Sequence, residues 1–437
     1  IDLTRQGIYT PLDYKYLKFV RKHLFPINAW PAKEIGEKNH SKHMIILNYW
    51  LLIFFPSCWI LVLMYILQNT GKVNFYQLGH VYIVLFMTSV NIVRIYPNVL
   101  ATFLNKMHLF YYKDVSEFAK KIHNRIHVIS HVFTIYLISQ MYAGIIFFNV
   151  MPMWSNYSTG KYKSKILQNA TFEHSVYFYL PDRVNTHMDA YVALCIVNWY
   201  ISCVCAILFC MLDLLLSLVV FHLWGHFQIL LHDIQSFPLP AETAVVSYNG
   251  VNISVEVYSE EDQQQVSKRL KQCVDYHRLI SDYTKRISEA FGPMLCMSYA
   301  FHQVSGCLLL LELSQLTPEA LMCYMPLSVI LCQQLIQISV IFELIGTTSE
   351  KLKDAVYSMP WQFMNTSNRR TVIIFLVNVQ EPIHVKALGL INIGVKSMAA
   401  VRFYPIQAAP RASFCVHPGC TSIPNLIVMI FIDINYC

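Results

Sequence analysis

Histidines carry the most suggestive chemistry in this 437-residue sequence. His123, His127 and His131 recur at i,i+4 spacing, and His222 with His226 repeats it, so each set shares one helix face from which imidazoles can hold a metal. Neither set contains the glutamate of a His-Glu-x-x-His metalloprotease helix, and histidines at helix ends commonly serve packing. Both stripes are therefore read as interfacial side chains. The Cys415-Val-His-Pro-Gly-Cys420 stretch is a weaker metal signal still. No Gly-rich phosphate loop and no Gly-x-Ser-x-Gly elbow is present, so the expectation is no catalytic residue, no cofactor, no metal and no enzyme.

Charged groups within apolar runs are the next candidates, since such groups mark ion or proton pathways. Asp213, Glu312 and Glu343 fall near the ends of their runs and are read as interfacial, and Arg94 is expected to extend its stem past Pro97 toward the cytoplasm. No chain of buried carboxylates supports an ion-coupled transporter.

The elements that would hold these residues are membrane helices. The sequence is 55% hydrophobic and 14% charged with mean hydropathy +0.41, beyond the roughly 45–50% apolar and 25% charged of soluble domains. A bilayer core of about 30 Å needs about 20 apolar residues in a helix. Six runs qualify: 44–67, 78–104, 128–152, 189–221, 290–315 and 318–345, with Pro56, Pro97 and Pro326 inside them. A seventh, marginal, span is expected at 383–404, which carries Lys386, Lys396 and Arg402. Nine of the thirteen cysteines lie in apolar runs, where they act as small hydrophobes, so no disulfide framework is implied. The chain opens at Ile1 without an apolar leader, and it is expected to lack a cleaved signal peptide and a few starting residues.

Lys and Arg in short loops stay cytoplasmic. Segment 1–43 holds eight, 105–127 five, 222–289 six and 346–383 four, whereas the alternate loops hold five in all. The excess of +7 is thus a topology signal rather than a nucleic-acid footprint, and it places the N-terminus inside. Asn156 and Asn169 begin sequons in the longest external loop and are candidate glycosylation sites, although Asn252 and Asn365 begin sequons in internal loops. The outer halves of the runs gather aromatic and bulky residues: Tyr82 and Phe86, Met141, Tyr142 and Ile145, Tyr191, Ile196, Trp199 and Tyr200, and Tyr324. Together they are the candidate lining of an apolar ligand pocket.

After the sixth run comes Ser349-Glu-Lys-Leu352, then Ala355, Tyr357, Trp361, the Arg369–Arg370 pair, Pro382 and Gly389. In order and spacing this set resembles the characteristic C-terminal stretch of insect odorant receptors. The resemblance, which spans essentially residues 1–400, implies an all-α polytopic membrane protein with seven transmembrane helices, a cytoplasmic N-terminus and a cytoplasmic helical anchor. It divides the chain into a cytoplasmic segment 1–43, helices one to six with their loops over 44–345, an anchor segment 346–382, a seventh, pore-side helix 383–404, and an atypical tail 405–437. It implies an odorant-binding subunit of a ligand-gated cation channel, in a hetero-tetramer with the odorant receptor co-receptor in the plasma membrane of olfactory dendrites. Small volatile ligands and membrane lipid would be its other partners, and nucleic acid none. Tyr357, Trp361, Arg369, Arg370 and Pro382 would belong to the anchor, and Asn392 and Lys396, one turn apart, would face the pore.

One departure from the family pattern is the tail, where Pro405, Pro410, Pro418 and Pro424 cannot continue a helix, and residues 401–437 are expected to be translated intron. The competing reading is a seven-helix G-protein-coupled chemoreceptor. It needs an external N-terminus, and the chain lacks an Asp-Arg-Tyr after the third run and an Asn-Pro-x-x-Tyr in the seventh.

Overall fold

The computed structural model describes residues 9–27, 30–37, 42–70, 72, 75–90, 97–167, 170–240, 242–248, 251–313, 318–387, 391–392 and 394. The chain divides after Val395, and all of 396–437 lies outside the described residues.

Helix α1 (Lys15–Leu24) is amphipathic: Tyr16, Leu17, Val20 and Leu24 are buried while Lys15, Lys18, Arg21 and Lys22 are exposed, the three-to-four spacing of a helix with one apolar face. A single turn, α2 (Ala32–Ile35), ends on Gly36 in the left-handed region. The first expected span is α3 (Lys42–Asn69); the described residues of the second include α4 (Phe75–Val90) and α5 (Pro97–Thr102), and α5 runs on into a π-helical turn, Phe103–Met107. Next come α6 (Glu117–Ser158), the short α7 (Arg183–Thr186) and α8 (Met188–Gln235). An antiparallel hairpin, β1 (Glu242–Tyr248) with β2 (Val251–Val257), links α8 to α9 (Glu260–Leu313). Then follow α10 (Pro318–Tyr357) and α11 (Thr366–Asn378).

Four of these helices are far longer than a bilayer is thick. At 1.5 Å per residue the 42 residues of α6, 48 of α8, 54 of α9 and 40 of α10 extend about 63, 72, 81 and 60 Å. Each therefore has a part that projects beyond the roughly 30 Å core, at the end the loop charges assign to the cytoplasm. Among the described residues, stretches within α3, α6, α8 and α10 are long and apolar enough to cross a membrane.

α8 is the hub: it packs on α6, α9 and α10, and its most apolar stretch is largely buried, whereas those of α3 and α6 mostly face outward. A helix that is apolar all round belongs in such a central position. Asp213 is buried inside the protein on this hub helix.

The seventh helix expected over 383–404 is not formed where the structure describes that segment. Ile383–Val385 has no regular structure, and β3 (Lys386–Ala387) pairs antiparallel with β4 (Ile391–Asn392). Gly389 and Gly394, with the β-branched Val385, Ile391 and Ile393, weaken a helix there. Asn392 lies in the strand pair, its side chain outside the described residues along with all of Lys396.

Candidate ligand-binding cavity

Where the outer halves of α4, α6, α8, α9 and α10 meet, they line a partly open cavity of about 160 Å³. Helical spacing assigns its walls. α6 presents Gln140, Met141, Gly144, Ile145 and Phe148, one stripe at i, i+1, i+4, i+5 and i+8. α4 gives Ile83, Val84, Met87 and Thr88, and α8 gives Ile201, Ser202, Cys205, Ala206, Phe209 and Cys210. Phe301 and Leu309 come from α9, Leu327, Ile330, Leu331 and Gln334 from α10, and Val176 from the loop that folds in from outside. Gly144 creates room, since a Cβ built there meets nothing within 4 Å.

No Asp, Glu, Lys, Arg or His is among the lining residues. Thr88 donates its hydroxyl to the Val84 carbonyl at 2.9 Å, and Ser202 to that of Asn198 at 2.7 Å. The wall thus presents apolar surface, suited to a compact apolar molecule. An apolar cavity of about 150 Å³ can hold benzene.

The structure brings together only part of the expected lining. Met141 and Ile145 face the cavity. Tyr142, on the opposite side of α6, meets the His23 ring at 2.9 Å, and Ile196 points outward at 68% exposure. Tyr82 packs in the neighbouring cluster of α3, α4 and the outer loop, Trp199 packs against the main core, and Tyr200 stacks edge-on against Trp50 and Phe54. The side chains of Phe86 and Tyr324 lie outside the described residues.

Tyr191 belongs to a separate outer cluster with Phe172, Tyr162 and His174. There Asn156, the expected glycan acceptor, is fully buried: its Nδ2 donates to the Glu173 carbonyl at 2.9 Å and to the Tyr191 hydroxyl at 3.1 Å, while its Oδ1 accepts from the Glu173 amide. The folded protein has no place for a sugar on that nitrogen, which corrects the expectation. Asn169 is outside the described residues.

The profile of a protein family described as 7tm Odorant receptor matches residues 73–402, which include every wall of this cavity. The chain belongs to the seven-transmembrane odorant receptor family. In structure it is similar to the insect olfactory receptor OR5 from Machilis hrabei, over 90% of this chain and 96% of that one, with a TM-score of 0.69 at 11% identity. The same receptor in complex with eugenol matches 89% of this chain and 96% of its own at a TM-score of 0.65 and 11% identity. At that identity the likeness speaks for the fold. No curated protein matches the chain in sequence.

At the inner end of the receptor His123, His222 and His226 of the two stripes find hydrogen-bond partners. The Tyr14 hydroxyl meets His123 Nε2 at 2.8 Å, Tyr16 meets His108 Nε2 at 2.7 Å, and the Leu109 amide donates to His222 Nδ1 at 3.2 Å. His226 bridges Tyr276 at 2.6 Å and the Met107 carbonyl at 2.8 Å. Burial pushes His123 and His226 down to about 4, and His108 and His222 well below the usual range. These imidazoles are neutral hydrogen-bonding groups that fasten α1 and the 103–112 segment to α6 and α8.

The expected anchor residues gather around α11. Trp361 donates its indole N–H to the Tyr357 carbonyl at 3.2 Å, and Arg369 donates to the Gln362 carbonyl at 2.8 Å. Tyr357, Trp361, Arg369 and Arg370 are exposed, and Pro382 is half-buried. Sequence reasoning missed Asn368, which is buried and donates to the Gln263 carbonyl of α9 at 3.1 Å. It also missed Gln140, Gly144, Cys205, Phe209, Phe301 and Gln334 in the cavity. The stripe 140, 141, 144, 145, 148 was the available signal, since its spacing marks one face of α6 whatever the residue types.

Proposed function

We propose that the receptor takes up a small, volatile, apolar odorant in this cavity. Together with the odorant receptor co-receptor, it would then open as a ligand-gated, non-selective cation channel in the plasma membrane of olfactory neurons. The uncharged apolar cavity between the helices supports this reading most directly. Removing about 150 Å² of apolar ligand surface from water contributes about 4 kcal/mol, enough to hold a volatile without any ion pair. The fold's likeness to an olfactory receptor described with eugenol bound is in keeping with it.

Assembly fits the inner end. Ile373, Ile374 and Val377 of α11 and Tyr357 and Trp361 beside it are exposed apolar side chains, a surface that protein–protein contact would cover. Arg369 and Arg370 flank it. Changing both to alanine is expected to lower co-purification with the co-receptor and to leave the ranking of odorants unchanged.

The test is co-expression with the co-receptor and an odorant panel read as cation current. Odorant-dependent inward current that needs both subunits supports the proposal, and its absence with both subunits at the cell surface contradicts it. An N-terminal tag labelled from outside intact cells would instead favour the G-protein-coupled reading.

A further inference from the structure

The outward face of α1 carries charge that the described residues leave unpaired. Lys15, Lys18 and Lys22 recur at i, i+3 and i+7, opposite the buried stripe of Tyr16, Leu17, Val20 and Leu24, and with the exposed Phe19 they form one side of the helix. No acidic residue lies within α1. Arg21 is paired with Glu37 at 3.1 Å, and Asp13, within electrostatic reach of Lys18, accepts from the Tyr9 and Thr10 amides at 2.9 Å each. Among the described residues, no carboxylate stands within ion-pair distance of the three lysines.

The neighbouring α6 marks the level of this face in the bilayer. Its outward side presents Lys120, Lys121 and Arg125 and then changes to the exposed Val128, Val132 and Ile135. Such a change marks the passage from the headgroup layer into hydrocarbon. α1 starts at that level, since the Tyr14 hydroxyl meets His123 at 2.8 Å and its ring packs on His127. It then climbs along α6 until His23 reaches the Tyr142 hydroxyl at 2.9 Å. The lysine stripe therefore stands at the inner headgroups and just above them. A bare ammonium there is costly, but its long stem lets it turn back to a phosphate. Lysine clusters on amphipathic helices attract anionic lipid in this way. Lys15 and Lys22 are about 10 Å apart along the helix, so a headgroup bearing several phosphates meets the whole stripe where a single phosphodiester meets one lysine.

We propose that the Lys15, Lys18 and Lys22 face of α1 binds the headgroup of an inner-leaflet phosphoinositide, a lipid with a phosphorylated inositol ring. The lysines engage the ring phosphates, Phe19 enters the acyl boundary, and the apolar side of α1 stays on α6 and α8. The lipid thereby holds the amino-terminal helix against the membrane helices.

The test uses the full-length receptor in phosphatidylcholine nanodiscs and a fluorescent short-chain phosphatidylinositol bisphosphate, read by anisotropy. Lys15→Gln with Lys18→Gln and Lys22→Gln removes the stripe, and Lys15→Arg with Lys18→Arg and Lys22→Arg keeps its charge. Lys268→Gln with Lys271→Gln and Lys285→Gln removes three exposed charges from α9 instead. The α1 glutamine variant should bind at least roughly tenfold more weakly than the wild type, and the arginine and α9 variants should stay within about twofold. Wild-type affinity in the α1 glutamine variant overturns the proposal. So does an equal loss in the α9 variant, which would assign binding to overall charge, or in the arginine variant, which would assign it to a disturbed fold. Displacement of the probe by phosphatidylserine, at matched charge, as readily as by the phosphoinositide overturns it too. Inositol trisphosphate that binds as tightly as the lipid would give the face to a soluble polyphosphate and overturn it as well.

Discussion

The two ends of the receptor are built on different principles. At the inner end α1, the 103–112 segment, α6 and α8 meet in a packed core crossed by Tyr–His hydrogen bonds, and Gly225 lies against the Leu109 side chain. At the outer end the same α6 and α8 diverge around a cavity, and Gly144 faces open space. One glycine serves close approach and the other serves emptiness. The residues with the richest chemistry hold the structure together, and the chemically plain ones line the cavity.

The sharpest break in that comparison is at the two glycines. Gly225→Leu must push Leu109, Ile126 and Ile122 aside. Overpacking of this kind costs about 1–3 kcal/mol or more. Folded receptor recovered in detergent should fall severalfold, whereas Gly144→Leu should be recovered at the wild-type level.

Next in size is Tyr16→Phe, which strips a buried partner from His108. Leaving a buried group unpaired costs about 1–3 kcal/mol, and a lower melting temperature with an unchanged odorant ranking would keep the inner network apart from recognition.

A smaller effect follows from pH. His123 and His226 sit near 4 in the folded receptor and near 6.5 when unfolded. The unfolded chain therefore binds the extra protons, and stability is lost as pH falls from about 6.5 toward 4. Each histidine contributes at most about 1.4 kcal/mol per pH unit in that window. Melting temperatures at pH 7.5, 6.5 and 5.5 should show little change over the first step and a drop over the second. His226→Gln should shrink that drop.

Smallest should be Tyr142→Phe, because the Tyr142–His23 bond is exposed. A change within about 0.5 kcal/mol is expected, and neither odorant sensitivity nor stability should move measurably.

Much of the fold was legible because hydrophobic length and loop charge are physical constraints of a bilayer. α3, α6, α8 and α10 cover four of the six runs that apolar length picks out. The docking of α1 was hidden, since ten residues with four cations look solvated until their apolar face finds α6 and α8. The cavity was half legible. Aromatic enrichment led to Tyr82, Tyr142, Ile196 and Tyr200, which hydropathy cannot tell from lipid-facing or packing residues, while the angular stripe through Gln140, Met141, Gly144 and Ile145 pointed at the cavity itself. Within 383–404, the described residues 383–387 and 391–392 departed from a helix because apolar composition there is shared by strand-forming residues and glycines.

The central claim is that odorants act from the cavity between α4, α6, α8, α9 and α10. Odorant-evoked current of Gly144→Leu co-expressed with the co-receptor, at matched surface levels, tests it most directly. The account predicts at least a roughly tenfold loss of sensitivity to every wild-type ligand, as expected where a leucine side chain fills a cavity of about 160 Å³. Dose–response curves that superimpose on the wild type would contradict it.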